Sequence, residues 1–426
     1  MIDADFAVRG AAELLTMDWE LAKPPALLRE AALAARDGEI VWVGADRDLD
    51  GAVALRPNAT VLDATGQTVT PGLVDPHSHL VYAGDRAHEF ALRCGGAGYL
   101  EIARAGGGIR ATVAATRAAT DEELLALALP RTDALLSQGV TTCEVKSGYG
   151  LSVEEELRLL RIVRTLAGRT PMALVPTLLP LHALPPEAEG RRDAWVAEMV
   201  DELVPRAARE GLCRMVDAFL EEGAFTAAEV RRLFARAREA GLPLRLHADQ
   251  LSDGGGAALA AAEGALSADH LERVSPAGIA ALARAGTVAV LAPVATWVLR
   301  LPSPAPARRL LEAGVPLALC TNLNPGSAPT ESVALGLGAA CLSYGLQPAE
   351  ALWAFTRGAA KALGLDQRIG RLAPGLRADV ALFGCADHRH LASHLAVSHC
   401  VAVAIGGRLV ASPRGARCSP PGPRIT

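Results

Sequence analysis

The chain has almost no lysine, few aromatic residues and no excess of positive charge. Its 426 residues include three lysines, Lys23, Lys146 and Lys361, and aromatic residues make up 4%. The formal net charge is -5 and the pI is about 6.1. Nothing in this balance suggests binding to nucleic acid or to an anionic membrane surface. The scarcity of lysine also limits any mechanism that needs a lysine side chain.

Closely spaced cysteine pairs and long apolar runs are also missing. The eight cysteines form no Cys-x-x-Cys pair, and nothing suggests a disulfide framework in a chain of this size. The longest apolar stretch, around 287–299, is shorter than the roughly 20 residues that span a bilayer. The acidic residues 1–5 lack the basic region of a secretory signal. We therefore expect a cytoplasmic protein without membrane or nucleic-acid partners.

The middle of the chain alternates between apolar stretches and segments of helical period such as 153–166 and 227–240. About eight such units over roughly 250 residues predict an α/β fold, a (β/α)8 TIM barrel. An open doubly wound sheet would carry a glycine-rich turn after its first strand, where this chain has histidines. The predicted strands lie near 70–77, 139–145, 172–180, 213–219, 243–247, 264–269, 287–293 and 315–321.

Both ends of the chain are rich in short β-like runs bounded by glycine turns. Asp37-Gly38 precedes one such run, 39–44, and a turn dipeptide before a β-rich run predicts a hairpin. Neither end is long enough to form a good core alone, so we expect the two to pair. The predicted domains are a small composite β-sandwich from 1–66 and 367–412, a barrel over 67–366, and a disordered tail over 413–426.

The predicted barrel strands end in histidines, carboxylates and amides. His77 and His79 follow the first strand, and alternate residues of an extended chain point to one side. Both imidazoles can therefore reach one metal ion. Active sites of such barrels lie where the C-terminal strand ends meet, so the set predicts a metal site. The later strands end in Glu144, Lys146 and Tyr149; His182; Asp217 and Glu221; His247, Asp249 and Gln250; Asp269 and His270; and Asn322 and Asn324.

Three imidazoles and one oxygen ligand form a catalytic metal site that keeps a position open for water. A base must then take the proton of that water, and an acid must protonate the leaving nitrogen. His270 is one candidate for this work, and the end of strand eight is the other. No lysine ends strand four, so a carbamate bridge between two ions is not expected and we favour one ion. Lys146 either serves the site or supports it through a pair with Glu144.

The His-x-His pair, the later histidines and the residue after strand eight resemble the amidohydrolase superfamily. Within it, five further blocks resemble the imidazolonepropionase family of histidine degradation, and the likeness covers nearly the whole chain. It implies hydrolysis of 4-imidazolone-5-propanoate to N-formimidoyl-L-glutamate, and a homodimer. The blocks are Ala83-Gly84-Asp85-Arg86, Glu144-Val145-Lys146-Ser147-Gly148-Tyr149-Gly150-Leu151, His247-Ala248-Asp249-Gln250, Asp269-His270-Leu271-Glu272 and Asn324-Pro325-Gly326-Ser327.

The resemblance also implies roles for single residues. One divalent or trivalent metal ion, zinc or iron, would be bound by His77, His79, His247 and the residue at 322. His270, Gln250 and Asn322 would occupy the catalytic positions. The small-molecule substrate, an imidazolone carboxylate, would be held by Arg86, Tyr149, His182, Gln250, Asn324, Gly326 and Ser327.

Asn322 departs from the family pattern, which has an aspartate at this place. An amide oxygen can contact a metal, but it carries no charge and cannot accept a proton as a carboxylate does. We therefore expect weak or absent turnover. Two alternatives stay open: another cyclic-amide hydrolase or amino-heterocycle deaminase of the superfamily, and a ligand-binding homologue that has lost the chemistry.

Overall fold

The computed structural model describes residues 1–18, 26–96 and 107–411. The predicted disordered tail, 413–426, lies outside these residues. Among the residues described, no helix is long and apolar enough to cross a membrane. The chain divides into two compact units. One comprises Met1–Asp75, Asp133–Thr142 and the residues from Ser332 onward, and the other comprises Pro76–Thr132 and Cys143–Glu331.

Eight strands form one sheet in chain order, from β6 to β13, and every neighbouring pair from β8 to β13 is parallel. Strands β10 to β13 are buried along their whole length, as expected of a parallel sheet covered on both faces. This sheet confirms the predicted barrel. Its strands are β6 (Leu73–Asp75), β7 (Val140–Lys146), β8 (Ala173–Leu181), β9 (Met215–Leu220), β10 (Arg245–Ala248), β11 (Ser267–His270), β12 (Val288–Leu291) and β13 (Leu317–Leu319).

Helices follow most barrel strands. Four of them begin after a serine or threonine whose hydroxyl accepts the N–H of the residue three positions on, which is the usual N-cap. These caps are Ser152, Thr226, Ser275 and Ser332. The helices between the strands are Ala87–Cys94, Ile109–Ala118, Asp121–Leu136, Val153–Ala167, Arg192–Ala197, Val204–Arg209, Ala227–Glu239, Gly256–Ala262, Pro276–Ala285, Pro293–Val298 and Ala307–Glu312.

The second sheet joins both ends of the chain, as predicted. Its order is β16-β15-β14-β5-β1-β2-β3, with β4 paired to β1. Antiparallel pairing of β5 with β14 links the N-terminal and C-terminal strands, and Phe6, Leu33, Val380 and Ala402 share one buried core. The strands are β1 (Ile2–Leu15), β2 (Leu27–Arg36), β3 (Glu39–Ala45), β4 (Val53–Asp63), β5 (Thr68–Pro71), β14 (Val380–Phe383), β15 (Cys400–Ile405) and β16 (Arg408–Ala411).

The hairpin predicted at Asp37-Gly38 is present. Arg36 pairs with Glu39 across the turn, and Asp37 and Gly38 have φ of 51° and 88°, the left-handed pair that a two-residue hairpin favours. The helices of this unit are Asp46–Ala52, Val333–Tyr344, Pro348–Trp353, Ala359–Ala362 and His390–Ser393.

The first predicted barrel strand differs from the structure. The apolar run 70–77 is divided at Gly72: β5 belongs to the second sheet and only β6 to the barrel. Gly72 donates its N–H to Asp379 O at 2.8 Å, and a Cβ at this position would lie 2.3 Å from the Thr141 side chain. The close approach therefore requires glycine, and an apolar run alone does not reveal such a change of sheet.

Candidate active site

Three buried histidines form the centre of the site. His77 and His79 follow β6 at alternate positions, and His247 lies in β10. Each offers a ring nitrogen within 4.8 Å of those of the other two. The side chains are at most 3% exposed. The structure therefore brings together the three imidazoles that the sequence pattern selected as metal ligands.

The surroundings of these imidazoles fit a metal ion. His77 Nδ1 lies 2.6 Å from Asp269 Oδ2, and His247 Nδ1 lies 3.0 Å from Asp217 Oδ2. A carboxylate beside Nδ1 fixes the orientation of the imidazole and leaves the lone pair on Nε2, where it can bind a metal ion. His79 Nδ1 is buried and has no hydrogen-bond partner among the described residues. Burial, followed by Lys146 for His77 and by His182 for His79, holds the pKa of both imidazoles well below the usual value, which favours the neutral, metal-binding ring.

A cavity of about 500 Å³ opens onto this centre. Its lining includes every predicted site residue except His77. Arg93, Arg192 and Phe219 also line it, and the sequence analysis did not select them. The predicted residues that line the cavity are His79, Arg86, Tyr149, His182, His247, Gln250, His270, Asn322, Asn324, Gly326 and Ser327.

Comparison with known proteins identifies the family. A family model described as "Amidohydrolase family" matches residues 95–411. Imidazolonepropionase from Myxococcus xanthus is 52% identical over 410 residues, with 95% of this chain and 97% of that protein covered. Imidazolonepropionase from Symbiobacterium thermophilum is 47% identical over 416 residues, with 96% and 98% covered. The chain belongs to the imidazolonepropionase family of amidohydrolases.

Solved structures agree on the fold. An adenosine deaminase from Xanthomonas campestris with bound zinc has a TM-score of 0.68 at 18% identity, with 96% of this chain and 93% of that chain covered. A 5-methylcytosine deaminase from Klebsiella pneumoniae has a TM-score of 0.71 at 17% identity, with 97% and 100% covered. At this level of identity the likeness concerns the fold alone.

A buried network of five charged side chains supports the metal centre of this amidohydrolase. Lys146 Nζ lies 2.9 Å from Glu144 Oε1 and 2.7 Å from Asp217 Oδ2. Arg245 Nη2 lies 2.8 Å from Asp269 Oδ2. Asp217 and Asp269 in turn contact His247 and His77, so the network connects directly to two proposed ligands. The Lys146–Glu144 pair is present, as in one of the two alternatives that the sequence left open for Lys146.

The charges in this network stabilise one another. Burial and Arg245 lower the pKa of Lys146, but its three carboxylate neighbours outweigh them and the pKa is raised. Burial raises the pKa of Asp269, but Arg245 and Lys146 outweigh it and hold the pKa below its usual value. Arg245 was not among the residues predicted from the sequence. Its spacing from His247 could have indicated it. Residues two apart in a strand point to the same side, and Arg245 precedes His247 by two positions.

His270 lies at the same barrel edge, at the end of β11. It is buried and lines the cavity. Burial is the main cause that lowers its pKa to about 3, so the ring is neutral at physiological pH. Its Nδ1 has no hydrogen-bond partner among the residues described. A neutral imidazole offers a ring nitrogen to a proton, and the lowered pKa makes His270 a weak base.

Asn322 lies beside His77. It is 2% exposed, donates its backbone N–H to His77 O at 3.1 Å and lines the cavity. Its φ of 53° is left-handed, a conformation that asparagine and aspartate tolerate better than most residues. Its role as a metal ligand remains a prediction.

The predicted substrate loop, Asn324–Ser327, is organised by Asn324. Asn324 Oδ1 accepts the backbone N–H groups of Gly326 and Ser327 at 2.8 Å each, and Nδ2 donates to Asn322 O at 2.7 Å. Because these contacts engage both ends of the amide, Asn324 shapes the loop. Arg86 lies against Gly326, where a Cβ would overlap its guanidinium.

Glu89 fixes Arg86 beside this loop, and the sequence analysis did not select it. Its Oε2 accepts from Arg86 Nε at 2.9 Å, and its Oε1 accepts from Gly108 N at 2.8 Å. Arg93 lies on the same helix and donates to Gly326 O at 3.0 Å. Arg86 is therefore held in place at the edge of the cavity.

A second group with metal-ligand geometry, Glu13, Asp387 and His388, lies in the other unit. Glu13 Oε2 accepts the backbone N–H of His388 at 2.8 Å, and Arg29 lies 3.0 Å from Glu13 Oε1. Arg389 pairs with Asp387. Since cations already compensate both carboxylates, we interpret this group as structural.

Glu272, which ends the Asp269–Glu272 block, is a buried acid whose protonation should affect stability. It is 5% exposed, and burial raises its pKa to about 7. An acid with a raised folded-state pKa stabilises the fold below its unfolded-state pKa, and this contribution is lost as pH rises through about 7.

We expect Glu272→Gln to raise the free energy of unfolding by roughly 3 kcal/mol at pH 8.5 and to change it little at pH 4. Denaturant titrations at both pH values, with exposed Glu239→Gln as control, measure the difference; equal effects at both would contradict it.

Proposed function

We propose that this chain opens the ring of 4-imidazolone-5-propanoate by hydrolysis and releases N-formimidoyl-L-glutamate. The observation that carries the proposal is the cavity in which three buried imidazoles lie beside Arg86, Tyr149 and His182. The relatives named imidazolonepropionase extend over nearly the whole chain.

We assign His77, His79 and His247 to one zinc or iron ion, because neutral imidazole suits both metals. When bound, the ion would supply an activated water and polarise the ring carbonyl. Asp269 and Asp217 orient two of the three rings. Lys146 and Arg245 keep those carboxylates ionised, so the orientation persists at neutral pH.

Proton transfer falls to His270. His270 is neutral and can take a proton from the attacking water, then return it to the nitrogen that leaves the ring. Asn322 can position water through its amide, but it cannot hold a proton. This arrangement predicts an enzyme that binds its substrate well and turns over slowly.

The remaining site residues hold the substrate. Arg86 carries the positive charge that a propanoate requires, and guanidinium binds carboxylate well. The Tyr149 hydroxyl stays protonated because burial raises its pKa above the usual value, so it can donate a hydrogen bond. Gln250 lines the same cavity and offers both a donor and an acceptor to the ring.

A substrate panel tests this assignment. Protein loaded with zinc or iron is incubated with imidazolonepropionate, a second cyclic amide and an amino-heterocycle, while ring opening and ammonia release are followed. We expect slow ring opening of imidazolonepropionate alone. His79→Asn should lose both metal and turnover, and His390→Asn, which removes an exposed histidine, should lose neither.

Other outcomes identify the alternatives. Faster ammonia release from the amino-heterocycle would make the chain a deaminase. Tight binding of imidazolonepropionate without product, at full metal content, would make it a binding protein.

A further inference from the structure

A single buried carboxylate holds the loop that follows β7. Glu156 lies in the first turn of helix Val153–Ala167 and is fully buried. Its Oε2 accepts the N–H of Gly148 at 2.7 Å, and its Oε1 accepts those of Gly150 and Leu151 at 2.8 and 2.7 Å. Three N–H groups thus converge on the two oxygens of one buried side chain. Glu156 therefore fixes the backbone on both sides of Tyr149.

The carbonyl groups of this loop are engaged as well. His182 Nδ1 lies 2.8 Å from Gly148 O, Arg117 donates to Gly150 O at 2.6 Å, and Trp195 donates to Leu151 O at 3.1 Å. Gly148 has a φ of +105°, and a Cβ there would lie 2.8 Å from His182 Nδ1. Glycine is required at 148 for the carbonyl and the imidazole to meet.

The contact with Gly148 determines the tautomer of His182. A carbonyl oxygen only accepts hydrogen bonds, so His182 Nδ1 must carry the hydrogen. In the neutral ring Nε2 is then an acceptor, and His182 lines the cavity. Tyr149 lies beside it, with ring centroids 5.5 Å apart. The pair presents one acceptor and one hydroxyl to a ligand.

We propose that Glu156 is a positioning residue for substrate, because it holds the loop Gly148–Leu151. The held loop directs Tyr149 toward the cavity. It also keeps Gly148 O against His182 Nδ1, so that His182 stays in the tautomer whose Nε2 accepts an N–H of the substrate ring. This inference rests on the proposed function for the identity of the ligand. The tautomer and its dependence on Glu156 do not depend on turnover. Glu156 acts through Tyr149 and His182 and does not itself touch substrate.

The test combines spectroscopy with binding. Protein labelled with ¹⁵N-histidine reports the tautomer of His182, assigned from the spectrum of His182→Gln. We expect Nδ1–H in the parent and a shift toward a tautomer mixture in Glu156→Gln, because the amide cannot accept all three N–H groups. Imidazole-4-propanoate, which keeps ring and carboxylate but has no amide bond to hydrolyse, should bind Glu156→Gln about tenfold more weakly. With imidazolonepropionate, KM should rise by a similar factor while kcat changes less than threefold.

Controls separate positioning from general damage. Glu155→Gln removes a neighbouring carboxylate that pairs with Arg158, and it should change neither spectrum nor binding. Metal content should stay constant in all variants. An Nε2–H tautomer of His182 in the parent overturns the proposal, and this result does not depend on whether any Glu156 variant folds. A Glu156→Gln protein with the parental tautomer, Kd and KM overturns it as well. A parent that shows Nδ1–H but fails to bind the probe refutes the substrate assignment instead.

Discussion

Replacing Asn322 with aspartate should raise kcat for ring opening of imidazolonepropionate by roughly 10²–10⁴-fold, the range that a positioned general base contributes. The residue lies next to the metal centre, since its backbone N–H donates to His77 O, and it lines the cavity with His270. A carboxylate there can hold the proton that the amide cannot. It would also add negative charge beside three imidazoles, which tightens binding of a cation.

The local structure tolerates this substitution. Aspartate has the same shape as asparagine and also accepts the left-handed φ of 53° found at this position. The substitution removes a long hydrogen bond, from Asn322 Nδ2 to Ser327 Oγ at 3.4 Å. Asn324 Nδ2 donates to the same oxygen at 2.8 Å, so the Ser327 hydroxyl hydrogen is free to turn toward a carboxylate.

The measurement is kcat at full metal content, together with the Kd of the metal, in parent and variant. Asn324→Asp is the matched control, because it places the same charge two residues away and should bring no gain. If Asn322→Asp binds metal fully and still turns over at the parental rate, the missing carboxylate is not the limiting defect. The other proton-transfer groups would then need revision.

The group of three histidines was predictable from the sequence because two simple rules lead to it. Alternate residues of a strand share a side, which joined His77 to His79, and C-terminal strand ends of a barrel meet, which added His247 and His270. The first rule acts within one strand and the second follows from the barrel fold itself, so neither needs the detailed packing of side chains. The Asp37-Gly38 hairpin was predictable for a similar local reason.

The supporting residues were not predictable in this way. Glu156 and Glu89 lie on helices, where an acidic residue in the first turn is usually solvent-exposed. Only the packing of each helix against its loop shows that these carboxylates accept buried N–H groups. The division at Gly72 depends on strands from the far end of the chain. Long-range pairing determines these features, and one sequence without relatives does not contain that information.

Arg245→Met should cost about 3–5 kcal/mol of unfolding free energy, the usual penalty for removing one partner of a buried ion pair. Three buried carboxylates, Glu144, Asp217 and Asp269, are balanced by the cations Lys146 and Arg245. Without Arg245, the nearest cation to Asp269 is Lys146, at 3.8 Å. The variant would leave one more negative charge uncompensated in a region with no exposure to water. His77, oriented by Asp269, should also bind metal more weakly.

The pH dependence identifies the cause. Neighbouring cations lower the folded-state pKa of Asp269. The contribution of ionised Asp269 to the free energy of unfolding is therefore present above its unfolded-state pKa, and it is lost as pH falls through its folded-state pKa. The difference in unfolding free energy between the parent and Arg245→Met should therefore become smaller in acid. Denaturation of metal-free protein at pH 7 and in acid measures this difference. Arg238→Met, which removes an exposed partner of Glu263, should cost less than about 1 kcal/mol. A cost for Arg245→Met no larger than that of this surface control would show that the buried charges do not depend on Arg245.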